Sequence, residues 1–187
     1  MRLAAFEFPL GPVLTVPGLW NSGPEHWQSH WERLAPSTFH RVNQRDWDTP
    51  RREDWVEALE ASVALAGESP LLAAHSLSCA LVCHWARGRH SPVRGALLVA
   101  PSDVDAPSYP LGPVGFEPMP LERLAFPSIV VASDDDPLVR PERARAFAAA
   151  WGSRLVVVHG QGHLNSDSRL GAWPFGLSLL RELAQAP

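Results

Sequence analysis

The chain has 187 residues with 45% hydrophobic and 19% charged side chains, which is the balance of a globular domain rather than of a disordered chain. Its formal net charge of −4 offers no basic surface that would recruit nucleic acid or an anionic membrane. No apolar run reaches the roughly 18–20 residues that cross a bilayer, and the opening residues lack the apolar core of a signal peptide, so we expect a cytoplasmic protein.

Short apolar runs and helical stretches alternate from the start of the chain. Residues 12–16 (PVLTV) stop at a Pro-Gly turn and predict a buried strand. Residues 24–34 predict a helix, residues 39–43 a weaker edge strand, and residues 51–66 a second helix. Three apolar residues of the first helix, Trp27, Trp31 and Leu34, are at helical spacing.

The middle of the chain continues this alternation. Three apolar runs predict buried strands, namely residues 70–74 (PLLAA), 93–100 (VRGALLVA) and 127–133 (PSIVVAS). Residues 77–88 predict a helix after the first of these strands. Cys79 and Cys83 share one side of that helix and are expected to be small buried residues rather than a disulfide. No further ligands stand out that would complete a metal site.

A proline-rich stretch, residues 101–126, joins two of the predicted strands. A connection of that length is uncommon in a compact domain unless it is functional, so we expect a pocket wall or a contact surface. After it, residues 142–151 predict an Ala-rich helix opened by Pro141. Residues 154–159 (RLVVVH) predict the sixth strand, and residues 171–184 predict the closing helix.

The strands are continuously apolar rather than alternating, which is typical of a parallel sheet covered on both faces. Strands separated by helices indicate βαβ units with right-handed crossovers. The sequence therefore predicts an α/β protein with a doubly wound sheet of about six mostly parallel strands. We expect residues 1–187 to form a single domain.

Reactive side chains follow three of the predicted strands, at the edge of the sheet where such folds collect their functional groups. Ser76 comes after the third strand, three consecutive aspartates (residues 134–136) after the fifth, and His163 after the sixth. The chain order Ser…Asp…His is that of α/β-hydrolases. A serine hydroxyl needs a base to become nucleophilic, and a histidine such as His163 is the side chain that most often serves as that base. One aspartate would orient the histidine.

Less specific roles for these residues stay open at this stage. Ser76 could serve only as the N-cap of the helix that follows, and His163 could be a structural histidine on a loop. The pentapeptide Ala74-His75-Ser76-Leu77-Ser78 departs from the usual G-x-S-x-G, although both replacements are small.

An oxyanion hole and a pocket can also be assigned. The amide of Leu77, at the start of the helix, is one expected oxyanion donor, and Leu19 in the loop after the first strand is the other. Trp20 and His75 are candidates for the substrate pocket. The segment His26, Trp27 and Trp31 either packs the first helix or lines the pocket, while Trp173 is expected to anchor the last helix near His163.

Four segments resemble a known family: PGLWNSGPEHWQSHWE, AHSLSCALVCHWA, SDDDPLV and GHLNSDSRLGAWPFG. The chain is similar to the small serine hydrolases that include the retinoblastoma-binding protein 9 group and many short bacterial α/β-hydrolases. The resemblance implies that Ser76, Asp136 and His163 match the family's triad, because the acid directly precedes a proline. At position 78 the family commonly has glycine, where this chain has Ser78.

The same resemblance implies a compact α/β-hydrolase without a lid domain, without a cofactor, and with esterase-like activity on small acyl substrates. Some members are known through protein binding, so a binding module with a vestigial triad is the alternative. Amide, lactone or thioester cleavage would use the same residues, and the sequence does not separate them. The sequence does not indicate an oligomeric state.

Overall fold

A computed structural model describes residues 10–88 and 90–186. Residues 1–9, part of the stretch searched for a signal peptide, lie outside the described residues. A six-stranded, fully parallel sheet with the order β2-β1-β3-β4-β5-β6 forms the centre of the molecule. Its strands are β1 (Val13–Val16), β2 (Phe39–Arg41), β3 (Leu71–His75), β4 (Gly95–Val99), β5 (Ser128–Ser133) and β6 (Arg154–Val158).

In the described part of the chain five α-helices cover the sheet, and a short 3₁₀ turn (Ser166–Ser168) follows β6. The helices are α1 (Trp27–Leu34), α2 (Arg52–Leu65), α3 (Leu77–Ala86), α4 (Pro141–Trp151) and α5 (Pro174–Ala184). All predicted strands and helices are present, and the α/β fold class is confirmed. None of the described helices has the length and apolar character needed to cross a bilayer.

The differences from the predicted bounds are local and have local causes. Helix α1 starts at Trp27 rather than at residue 24, because the imidazole of His26 caps it by accepting a hydrogen bond from the amide of Gln28. Helix α5 starts only after Trp173, whose φ of 40° is left-handed. Of the three apolar residues at helical spacing on α1, Trp27 and Trp31 are fully buried, whereas Leu34, in the last turn, is 47% exposed.

The two faces of the sheet carry separate cores, as continuous apolar strands require. Along β3, Leu72 and Ala74 point to the side covered by α2, α3 and α4, whereas Leu71 and Ala73 point to the side covered by α1 and α5. The second core contains three mutually packed indoles, those of Trp27, Trp31 and Trp173. This packing anchors the last helix, as expected for Trp173, and assigns the tryptophans of α1 to the core.

The proline-rich connection between β4 and β5 is irregular but tied to the helices beneath it. The ring of His84 on α3 hydrogen-bonds the carbonyl of Phe116 at 2.8 Å. Trp151 on α4 donates its indole N–H to the carbonyl of Pro120 at 2.7 Å. These contacts tie the later part of the connection to α3 and α4. Earlier in the same connection, Tyr109 and Pro110 lie beside the cavity described below.

Candidate active site

Ser76 sits on a strained turn between β3 and α3. Its φ of 58° and ψ of −121° are unfavourable for a residue with a side chain and cost of order 1–3 kcal/mol. Such a strand-to-helix turn exposes the hydroxyl above the sheet. Although Ser76 occupies the N-cap position of α3, its side chain makes no capping hydrogen bond. The capping alternative is therefore wrong, and the strain needs another explanation.

The hydroxyl of Ser76 contacts His163 instead. Its Oγ lies 2.7 Å from Nε2 of His163, and Nδ1 of the same ring lies 2.8 and 2.9 Å from the two carboxylate oxygens of Asp136. A carboxylate only accepts, so Nδ1 carries the proton and Nε2 is free to accept from the serine hydroxyl. The three side chains thus form one buried hydrogen-bonded line across three loops.

The other two aspartates of the acidic run are engaged elsewhere. Asp134 lies 2.6 Å from the ring of His159 and accepts the amide of Gly160. Asp135 accepts from the hydroxyl of Ser133 and from the amide of Gly162. Each of these contacts lowers the pKa of its carboxyl group. Only Asp136 reaches His163, while its neighbours shape the loop that carries the histidine.

The turn around Ser76 is packed too tightly for large neighbours. A Cβ added to Gly18 would lie 2.8 Å from the carbonyl oxygen of His75 and 2.9 Å from Cβ of Ser76. Ser78, the residue that departs from the motif, is fully buried and donates its hydroxyl to the carbonyl of Pro17 at 2.6 Å. The extra oxygen is therefore accommodated, and it ties α3 to the loop after β1.

The two segments that carry the predicted oxyanion amides, those of Leu77 and Leu19, approach each other closely. The amide nitrogen of Leu77 would lie 3.3 Å from a Cβ on Gly18, the residue before Leu19. Neither the Leu77 nor the Leu19 amide donates a hydrogen bond to another described residue. Free amides at a helix start and in a facing loop are suited to a developing negative charge.

Sequence reasoning missed the residues that hold this loop. Trp20 and Asn21 both have a φ of 65°. Arg41 donates to the side chain of Asn21 and to the carbonyl of Ser22, and pairs with Glu32 at 2.8 Å. Arg41 lies in a weak edge strand, and no local pattern marks it.

A cavity of about 320 Å³ opens beside the serine. Both predicted pocket residues line it: His75 is buried, and Trp20 is 60% exposed at the rim. The proline-rich connection supplies Tyr109 and Pro110, which fits the expectation that it forms a pocket wall. His26, for which a pocket role was left open, and Leu19, the predicted oxyanion donor, also line it. The other lining residues were not predicted and come from several loops: Asn21, Pro137, Leu138, Asn165 and Ser166.

Three imidazoles form a row at the floor of this cavity. The ring of His75 lies 4.6 Å from that of His26 and 4.9 Å from that of His163, between centroids. Burial lowers the pKa of His26 to about 3, with the charges of Arg41 and of the neighbouring histidines adding to the effect. Burial also holds the pKa of His75 well below its usual value. Both rings are therefore neutral.

The sequence as a whole matches a family model. Residues 13–182 fit the model described as serine hydrolase, which spans all six strands and all three residues of the buried line. The chain belongs to the serine hydrolase family. Membership favours an enzyme over a binding module with a vestigial site. A search of curated proteins found no match.

Solved structures of similar proteins agree with this assignment. A YdeN-like hydrolase from Pectobacterium atrosepticum is 33% identical, with a TM-score of 0.83 over 93% of this chain and 90% of its own. The ydeN gene product of B. subtilis is 21% identical, with a TM-score of 0.76 over 94% and 99%. A thermophilic esterase from Thermogutta terrifontis is 17% identical, with a TM-score of 0.67 over 93% and 90%. The last two show a common fold.

Proposed function

We propose that this serine hydrolase cleaves carboxylic esters of small acyl groups through an acyl-enzyme at Ser76. The observation that carries the proposal is the 2.7 Å contact between Oγ of Ser76 and Nε2 of His163, on a ring whose other nitrogen is held by Asp136. This arrangement supplies a nucleophile, its base and the group that fixes the base's tautomer.

Acylation follows from these atoms. Oγ of Ser76 attacks the ester carbonyl carbon while its proton passes to Nε2 of His163, and the carbonyl oxygen becomes an oxyanion. The amides of Leu77 and Leu19 donate to that oxygen. The carbon–oxygen bond to the leaving group then breaks, and the alcohol departs with the proton held by His163. Asp136 stabilises the imidazolium in between.

Deacylation repeats the steps with water. His163 removes a proton from a water molecule that attacks the acyl-serine, and the acid leaves as Ser76 recovers its proton. Asp136 lies at the buried end of the line, with its side chain fully enclosed, so its charge acts on His163 without competition from solvent. Every step uses the chain's own side chains, two amides and water.

The cavity favours small substrates. Its volume of about 320 Å³ lies at the lower end of small-molecule sites. The wall is apolar at Leu19, Pro110 and Leu138. A protein that shares this fold, from Thermogutta terrifontis, is described as an esterase, and an ester is therefore the substrate class that we propose.

The test uses a fluorophosphonate probe and short p-nitrophenyl esters on the wild type and Ser76→Ala. We expect one label, at Ser76, and a fall in kcat of at least about 10⁴ in the variant. Ser62→Ala is the matched control, because the Ser62 hydroxyl is also hydrogen-bonded, to the carbonyl of Ala58, but lies on α2. Equal labelling of wild type and Ser76→Ala would refute the proposal.

A further inference from the structure

His75 joins the two loops that carry the serine and the histidine. It directly precedes Ser76, and its Nε2 lies 2.9 Å from the backbone carbonyl oxygen of His163. The ring is buried, 5% exposed, and packs against the ring of His163. The His75 side chain thus contacts the backbone of His163, which is 88 residues away in the sequence and whose imidazole faces Ser76.

The direction of this hydrogen bond is determined by its partner. A carbonyl oxygen only accepts, so Nε2 of His75 donates the proton. The pKa of His75 is lowered by burial and by its histidine neighbours, so the ring is neutral and Nδ1 carries no proton. A single tautomer is therefore present, with its one N–H committed to the loop of His163.

The loop that receives this bond is held on either side of His163 by other side chains. Gly162 and Leu164, on either side of His163, have φ values of 55° and 50°. The loop is held at its start by Asp135, which accepts the amide of Gly162, and at its end by Trp27, which donates to the carbonyl of Leu164. The bond from His75 acts between these two points, on His163 itself.

We propose that His75 is a positioning residue, whose Nε2–H holds the backbone of His163 so that its imidazole faces Ser76; this inference rests on the proposed function. Displacement of a catalytic group by about 1 Å can cost about 10²-fold in rate. Loss of the bond should therefore lower kcat more than KM, since His75 forms only one part of the cavity lining and the other lining residues are unchanged.

The experiment compares His75→Leu, which removes the donor, with His75→Gln, which keeps an amide N–H at similar reach. The same pair at His84 is the matched control, because Nε2 of His84 also bonds a backbone carbonyl, that of Phe116, at 2.8 Å. We expect kcat of His75→Leu to fall by about 10²-fold with KM within about twofold, and His75→Gln to recover at least tenfold. Both His84 variants should keep kcat within about twofold.

A second readout does not depend on turnover. The proton on Nδ1 of His163, bonded to Asp136, gives a downfield NMR signal that we expect to shift or broaden in His75→Leu and to return in His75→Gln. If the wild type is inert toward esters but this signal behaves as expected, the ester proposal fails and the role of His75 stands. If wild-type turnover is normal and folded His75→Leu keeps both kcat and the signal, the role of His75 is overturned.

Discussion

The hydroxyl oxygen of Ser78 lets the turn that carries Ser76 accommodate a serine where glycine is usual. Glycine at this position lets helix and strand approach closely, and a larger residue would be expected to push the turn apart. Here the hydroxyl instead meets the carbonyl of Pro17 at 2.6 Å, inside a fully buried contact. Because Pro17 lies two residues before Leu19, the bond also sets the position of one candidate oxyanion amide.

Ser78→Ala should therefore affect rate as well as stability. Removing the hydroxyl leaves the buried carbonyl of Pro17 without its donor, which costs about 1–3 kcal/mol of unfolding free energy. A partial shift of the Leu19 amide should lower kcat about tenfold, against the 10²–10³ expected for losing such a donor outright. Steady-state kinetics and denaturant unfolding measure both. A folded Ser78→Ala with wild-type kcat would contradict this role.

At the scale of elements, helix α1 supports the histidine loop rather than the pocket. Trp27 donates its indole N–H to the carbonyl of Leu164 at 2.9 Å, and Trp31 donates to that of Ala172 at 2.7 Å. Both rings are fully buried against Trp173. The two indoles therefore hold both ends of the segment between His163 and α5.

Trp27→Phe tests this support. The phenyl ring keeps most of the apolar contact but leaves the carbonyl of Leu164 unpaired, so we expect a loss of about 1–3 kcal/mol in unfolding free energy and a measurable fall in kcat. Trp151→Phe is the matched control, since Trp151 donates to the carbonyl of Pro120 beneath the opposite face. It should lose similar stability while kcat stays unchanged. Equal kcat losses in the two variants would argue against a specific role for α1.

At the scale of the whole molecule, two buried neutral histidines, His26 and His75, make the free energy of unfolding depend on pH. The folded pKa values of His26 and His75 lie below the unfolded value of about 6.5. As pH falls below about 6.5, the unfolded chain takes up protons that the folded chain does not, so stability present above that pH is lost. The limiting slope is about 1.4 kcal/mol per pH unit for each histidine.

His26→Asn should flatten this dependence. An asparagine oxygen can still accept the amide of Gln28 and cap α1, but it does not titrate. Thermal unfolding followed between pH 6.5 and 5 should show a single transition, as proposed for one domain, with a smaller fall in stability for the variant. The same slope in both proteins would mean that His26 does not contribute.

Much of the fold and of the candidate site could be predicted from the sequence, because the patterns that indicate them are local or follow the order of the chain. Continuous apolar runs predicted five of the six strands of the described sheet, since a strand buried on both faces has few polar positions, whereas the edge strand β2 carries His40 and Arg41 and was indicated only weakly. Ser76 and His163 were identifiable because chain order brings their loops to one sheet edge. The acid was narrowed to Asp136 by family resemblance alone, since nothing in three consecutive aspartates marks which one faces inward.

The sequence by itself determined the parallel sheet and the residues that meet above it, because burial and topology are encoded in the order of apolar runs. Only the tertiary structure decided the supporting contacts, among them the bonds from Ser78 to Pro17, from His75 to His163 and from Arg41 to the loop of Asn21. It also decided which part of the proline-rich connection walls the cavity. These contacts join irregular loops that are far apart in sequence. Such loops have no periodic pattern, so the sequence does not indicate which side chain bonds which partner.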